Sequence, residues 1–284
     1  MSPSILIAGA TGNTGRSTTE TLSKLLQAPD SPLHNHRILA LTRSAKSPTA
    51  QHLATLPGVE STFYLALLHA GVKYVVRIST TAAFVRPDAI AYYPRAHWAI
   101  EALLESSEFK AMHWTSMQPN IFGSYFVGPA AEFIKEYRKT GRADTELKLM
   151  AAKDGAAGII DPHEVGVFAA HLLVQEDTAV HSGKRYVLNG PENISGEGVV
   201  RMIERAIGVP VENVRYKDMS ALDAYLEMEY KVSDVSHNVI SSIRRASVSA
   251  WDGEWPCPPT SKEVLELAPP KRTPQQMLDS ALQQ

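Results

Sequence analysis

Cysteine is nearly absent. Cys257 stands alone among 284 residues, so no internal disulfide can staple the fold, and the usage fits a reducing compartment. Charge of one sign is also lacking: the formal net charge is −2 and Lys, Arg, Asp and Glu are scattered. That excludes the basic field by which nucleic-acid binders grip phosphates. No apolar run approaches the roughly 18 residues needed to cross a membrane, and no basic segment leads into a signal-like apolar stretch. A cytoplasmic protein without a membrane partner is expected. Metal-ligand spacing is missing too. His34 and His36 sit in a polar linker, and His163 and His171 share one expected helix without a third ligand, so no metal is expected.

What is present suits a soluble globular chain: 44% hydrophobic and 20% charged residues over a length that allows one large domain or a core domain with a smaller lobe. Ser4 to Ala10 is a short apolar run of the kind buried on both faces of a sheet. Thr14 to Leu26 carries Leu22, Leu25 and Leu26 on one side of a helix, and Arg37 to Thr42 is a second strand. Parallel pairing of the two strands completes a βαβ unit. Lys73 to Ser79, "KYVVRIS", is a strand, Ala91 to Ser106 a helix, and "HWTSMQPN" around Trp114 a further strand. Phe133 to Lys139 reads as helical. Asp161 caps a helix with Pro162 in its first turn and Glu164 three residues on, Lys184 opens another strand, and Ser195 and Gly208 bracket a helix. Alternating strands and helices mean α/β. The expected division is a dinucleotide-binding, Rossmann-like domain over residues 1–122 and a mainly substrate-binding lobe over 123–284, part of which returns to the sheet.

Between Arg43 and Lys73 no convincing strand can be found, where a doubly wound sheet normally places two with a helix between. Ser47 to Leu56 and Ser61 to Ala70 read as helices. The nucleotide domain is therefore shortened between residues 44 and 72, with a reduced strand count. Either the sheet closes, with "KYVVRIS" moving beside the first strand, or the chain is less stable.

Chemistry concentrates in a few places. Gly9, Gly12 and Gly15 form G-x-x-G-x-x-G between a strand and a helix. Such glycines allow a tight turn and close approach to a pyrophosphate, which the helix N-terminus attracts. The turn from Gly9 through Thr11, Gly12, Asn13, Thr14 and Gly15 is the candidate cofactor site. The second strand ends in "LTRSAKS" without the Asp or Glu that binds a ribose 2′-hydroxyl. Arg43 with Ser44 offers a 2′-phosphate a bidentate fork instead, which favours NADP over NAD. Tyr93 and His97 lie four apart on one helix face, and Ser79 follows a strand at its carboxyl end. A phenol there serves as proton donor or acceptor in carbonyl reduction, acidified by a nearby cation, and a hydroxyl orients the carbonyl oxygen. The competing reading makes Tyr93 a capping residue ahead of Pro94 and His97 a packing histidine.

Taken together, "GATGNTG", the arginine-ended second strand, "AGVKYVVRIST", "HWAIEALLE", "QPNIF" and "IIDPHEVGVFAAHLL" resemble the NmrA-like, atypical short-chain dehydrogenase/reductase family from residue 4 to about 210. The tail "TSKEVLELAPPKRTP" is similar to that of fungal members, many of them in secondary metabolism. The resemblance implies a Rossmann domain with a small C-terminal substrate lobe, NADP(H) as cofactor, and either reduction of a carbonyl or enone of a small molecule or noncatalytic sensing of the dinucleotide. The wider superfamily's catalytic pair is Tyr-x-x-x-Lys. Tyr93 matches its tyrosine, and His97 stands where the lysine is expected. The same comparison marks the stretch between "ATLPGVES" and "TFYLALLHAGVKYVV" as a gap, either a real internal deletion or an incorrectly predicted exon boundary, and implies weakened cofactor affinity.

Overall fold

In the computed structural model, residues 3–28, 31–33, 35–41, 67, 70–232, 237–246 and 258–283 are described. Arg43 and Ser44, the expected helix at Ser47–Leu56 and nearly all of that at Ser61–Ala70 lie outside them.

The apolar opening run forms β1 (Ser4–Ala8), which leads through the glycine turn into α1 (Asn13–Leu26). β2 (Arg37–Leu41) pairs with β1 in parallel, from Ser4 opposite Arg37 to Ala8 opposite Leu41, completing the expected βαβ unit. β3 (Tyr74–Ile78) precedes α2 (Tyr92–Leu104) and β4 (His113–Pro119). The chain continues through β5 (Ile121–Phe122), α3 (Ser124–Thr140), β6 (Leu147–Leu149), β7 (Ala157–Ile160) and α4 (Pro162–Leu173) to β8 (Lys184–Leu188). Beyond lie β9 (Asn193–Ile194), α5 (Gly196–Ile207), β10 (Val214–Tyr216), α6 (Ser220–Val232), α7 (His237–Ser241), α8 (Lys262–Leu267) and α9 (Pro274–Leu282).

β4 lies between β3 and β8, parallel to both. Among the described residues β1 pairs only with β2, and β3 only with β4. "KYVVRIS" therefore does not move beside the first strand. Helix α4 joins the two ladders instead. Its Ala170 packs into the cluster of Ile5, Ile7, Leu22 and Ile38. Its Val165, Phe168 and Leu172 pack with Met117, Tyr186 and Leu188 of the other ladder. The approach of α4 to α1 depends on Gly166, where a Cβ would sit 2.5 Å from the Thr14 carbonyl oxygen. Ser17 Oγ donates to the His163 carbonyl at 2.8 Å across the same seam.

The remaining strands form short ladders under a second core. β5 is parallel to β7, β7 antiparallel to β9, and β10 parallel to β6. α3, α5 and α9 bury Phe126, Ile134, Val199, Ile203 and Leu278 there. The structure starts α3 at Ser124, well before Phe133, because burial of Phe126, Val127 and Ala130 outweighs the break that Pro129 suggests in the sequence. The caps follow the local rules. Asp161 accepts from the His163 N–H, Ser195 accepts from the Gly198 N–H, and Gly208 ends α5 in the left-handed region at φ 77°. No helix among the described residues is long and apolar enough to cross a membrane.

Candidate functional site

The glycine corner is open. Gly9 takes φ +71°, a conformation that costs other residues strain, and a Cβ built there meets nothing within 4 Å. The Gly12 N–H closes the turn on the Gly9 carbonyl at 2.9 Å. Gly15 must be glycine for a second reason: a Cβ would lie 2.2 Å from the Gly9 oxygen. Thr14 and Gly15 are buried, whereas Gly9, Gly12 and Asn13 face solvent and Thr11 is half-buried. The N-cap residue of α1, Gly12, offers no side-chain cap, and the helix's first turn holds no acidic residue. Free N–H groups at a helix start beside an exposed glycine turn fit the diphosphate of a dinucleotide.

The Tyr93 phenol, in the first turn of α2, lies near the Thr80 hydroxyl that follows β3. Burial pushes the phenol up, the Thr80 hydroxyl opposes this, and Tyr125 adds to the rise. Tyr93 is therefore protonated at neutral pH and suited to giving a proton. The expected acidification by a cation does not occur, because the residue one turn along carries no charge. Tyr93 and His97 meet edge to face with ring centroids 6.2 Å apart. His97 Nδ1 lies 2.6 Å from Arg77 Nη2. Burial, and then the Arg77 guanidinium, push the imidazole down to about 4, with Glu101 pulling the other way.

Ser79 has a different neighbourhood from Tyr93. Its hydroxyl donates to Glu101 Oε1 at 2.8 Å. The same oxygen accepts from Ser116 at 2.6 Å and from Arg77 Nη1 at 3.0 Å. Glu101 Oε2 accepts from Arg185 Nε at 2.6 Å, and Gln118 Nε2 donates to it at 3.4 Å. Burial raises the Glu101 carboxyl, but Ser116, Arg185, Ser79 and Arg77 outweigh it and hold the group below the usual carboxylate range. Arg185 also bonds Glu105 at 2.8 Å and lies over the Trp114 ring at 5.1 Å. Tyr93, His97 and Glu101 thus form one stripe along α2, with Arg77 reaching the last two from β3.

Sequence reasoning missed Arg77, Glu101 and Arg185. The signal was present: Arg77 interrupts a run otherwise apolar on its buried face, and Glu101 continues the four-residue spacing of Tyr93 and His97. Buried charges must be paired, so an arginine in such a strand asks for an acidic partner. Asn120, at the end of β4, is buried as well. Its Oδ1 accepts from the Ile121 N–H at 3.0 Å and from Thr81 Oγ1 at 3.3 Å, holding the two strand ends together.

No protein-family model matches the chain. A curated relative, the (4-alkanoyl-5-oxo-2,5-dihydrofuran-3-yl)methyl phosphate reductase of Streptomyces griseus, is 23% identical over 227 residues, 73% of this chain and 75% of that protein. Among solved structures, an NADPH-dependent quinone oxidoreductase from Escherichia coli in complex with NADPH matches with a TM-score of 0.67 at 18% identity, over 97% of this chain and 98% of that one. The Citrobacter sp. triphenylmethane reductase complexed with NADP(H) matches with a TM-score of 0.67 at 17% identity, over 98% and 100%. At such identities the likeness carries the architecture: this chain has an α/β, parallel-sheet Rossmann-like fold, the fold of those reductases.

Proposed function

We propose that the chain is an NADPH-dependent oxidoreductase reducing a carbonyl or enone of a small organic molecule. The observation that carries the reading is an exposed glycine corner at a helix start in the same molecule as a protonated phenol in the first turn of α2. The reductases of like fold add weight, two of them with bound NADPH or NADP(H). Gly9 to Gly15 would hold the diphosphate on backbone N–H groups. Arg43 and Ser44, outside the described residues, would hold the 2′-phosphate. The cofactor supplies a hydride. Tyr93 gives the matching proton to the substrate oxygen, and Thr80 keeps the phenol oriented. Residues 1–122 serve the cofactor, residues 123–284 mainly the substrate, and the protein works in the cytoplasm. The finer kinship, to fungal NmrA-like proteins of secondary metabolism with a deletion between residues 44 and 72, belongs to the same proposal.

The test is NADPH consumption against a panel of quinones, enones and ketones. Turnover that falls in Tyr93→Phe supports the reading, and absence of turnover with NADPH still bound counts against it. One observation favours a second reading, a noncatalytic NADP sensor: a neutral imidazole occupies the position where the resemblance expects a lysine. NADPH binding without turnover of any substrate would support that reading.

A further inference from the structure

His97 stands at a decisive place, one turn from Tyr93, and its chemistry depends on which ring nitrogen carries a proton. The hydrogen bonding answers this. A guanidinium can only donate, so Nδ1, at 2.6 Å from Arg77 Nη2, must present its lone pair. A neutral imidazole that accepts at Nδ1 carries its hydrogen on Nε2. Arg77 is itself held in place. It is buried, with Nη1 donating to Glu101 Oε1 at 3.0 Å and to Ser116 Oγ at 3.1 Å. Glu101 is fixed in turn by Ser79, Ser116, Gln118 and Arg185.

We infer that Arg77 is a positioning residue that locks His97 as a neutral imidazole with its proton on Nε2, so that α2 presents an uncharged N–H donor beside Tyr93 in place of a cation. Among the described residues, the titratable and charged groups around the imidazole are Arg77 from β3, Tyr93 and Glu101 from α2, and, through Glu101, Arg185 from β8; the neutral Ser116 and Gln118 of β4 bond Glu101. The lock explains why Ser79, Arg77 and Glu101 are buried together: they form the frame that sets the imidazole, while proton delivery belongs to Tyr93. The consequence for turnover rests on the oxidoreductase reading; the tautomer itself does not.

The experiment is long-range proton–nitrogen correlation on the full chain labelled with 15N-histidine, from pH 8 down to pH 5. The His97 signal is identified by its loss in His97→Gln. His181, also pushed down by burial and bonded to Tyr186, is identified by its response to Tyr186→Phe. The expected result is that His97 stays neutral and protonated at Nε2 throughout. In the charge-balanced Arg77→Met/Glu101→Gln double variant Nε2 should lose its fixed proton and the ring should titrate higher than in the parent, with burial still holding it below the ordinary histidine value of about 6.5. A wild-type His97 protonated at Nδ1, or titrating near that value, overturns the inference even if the variant fails to fold; unchanged titration in a folded double variant overturns it too. In the activity arm, the wild-type kcat profile should lack a limb between pH 5 and 8, and the folded double variant should gain one at the new His97 titration. A wild-type limb in that range that tracks the His97 signal overturns the inference. Wild-type protein that turns nothing over while showing the expected tautomer defeats the oxidoreductase reading and leaves the lock standing.

Discussion

Tyr93 keeps its proton because burial penalises the phenolate and, among the described residues, no cation reverses that. Replacing it by Phe removes the proton route but little volume. Turnover should fall about 10²- to 10⁴-fold, with NADPH affinity unchanged by calorimetry. Ser79 sits with Glu101, so Ser79→Ala should mainly lower stability, by about 1–2 kcal/mol in denaturant unfolding, with kcat falling far less than in Tyr93→Phe. Acid should act through the same cluster. His97 lies below its unfolded value, so its contribution is complete above about pH 6.5 and is lost as pH falls toward about 4. Glu101 is depressed as well, so its contribution begins to fail below the ordinary glutamate range. Melting temperature should decline steadily on acidification from neutral pH. Against the parent chain, His97→Gln should flatten the part of that decline between pH 6.5 and 4.5.

Helix boundaries were legible where a cap or a left-handed glycine marks them. Asp161, Pro162 and Glu164 announced α4, and Ser195 and Gly208 announced α5, because capping depends on a few adjacent residues. The start of α3 was not legible: Pro129 argues locally for a break, and only the buried contacts of Phe126, Val127 and Ala130 decide otherwise. Elements also meet at points that local rules do not reveal. Gly166 carries no turn and reads as a weak helix position, yet it is where α4 touches α1. Gly166→Ala should cost about 1–3 kcal/mol in denaturant unfolding by forcing the helices apart. Gly15→Ala, whose Cβ would collide with the Gly9 carbonyl, should abolish thermal stabilisation by NADPH as well as lower stability.

Across the whole molecule, the C-terminal segment ties the two cores together. Ser261 exchanges hydrogen bonds with Val187 of β8, at 3.0 Å through its N–H and 2.8 Å through its hydroxyl. Val264 of α8 is fully buried in the α4 cluster, and Leu278 of α9 is fully buried against α3. Between them Arg272 pairs with Asp161, and Glu164 accepts the Lys271 N–H at 2.5 Å. Removing residues 269–284 should therefore loosen the lobe around α3 as well as losing a helix. Hydrogen exchange should show protection falling across α3 and β7 while β1 and α1 keep theirs. Asp161→Ala, which loses both a cap and the Arg272 pairing, should cost about 1–2 kcal/mol and accelerate exchange in the same region.

The sequence alone determined the α/β class, the βαβ opening, the glycine turn and the capped helices, because each depends on residues close together in the chain. It also put Tyr93 and His97 on one face, since helical spacing is local. Only the tertiary structure decided that His97 is neutral, that Ser79 serves Glu101, and that the exposed Arg185 reaches in to the buried pair of Arg77 and Glu101. Those residues come from three separate elements, and a charge's state is set by what surrounds it in space.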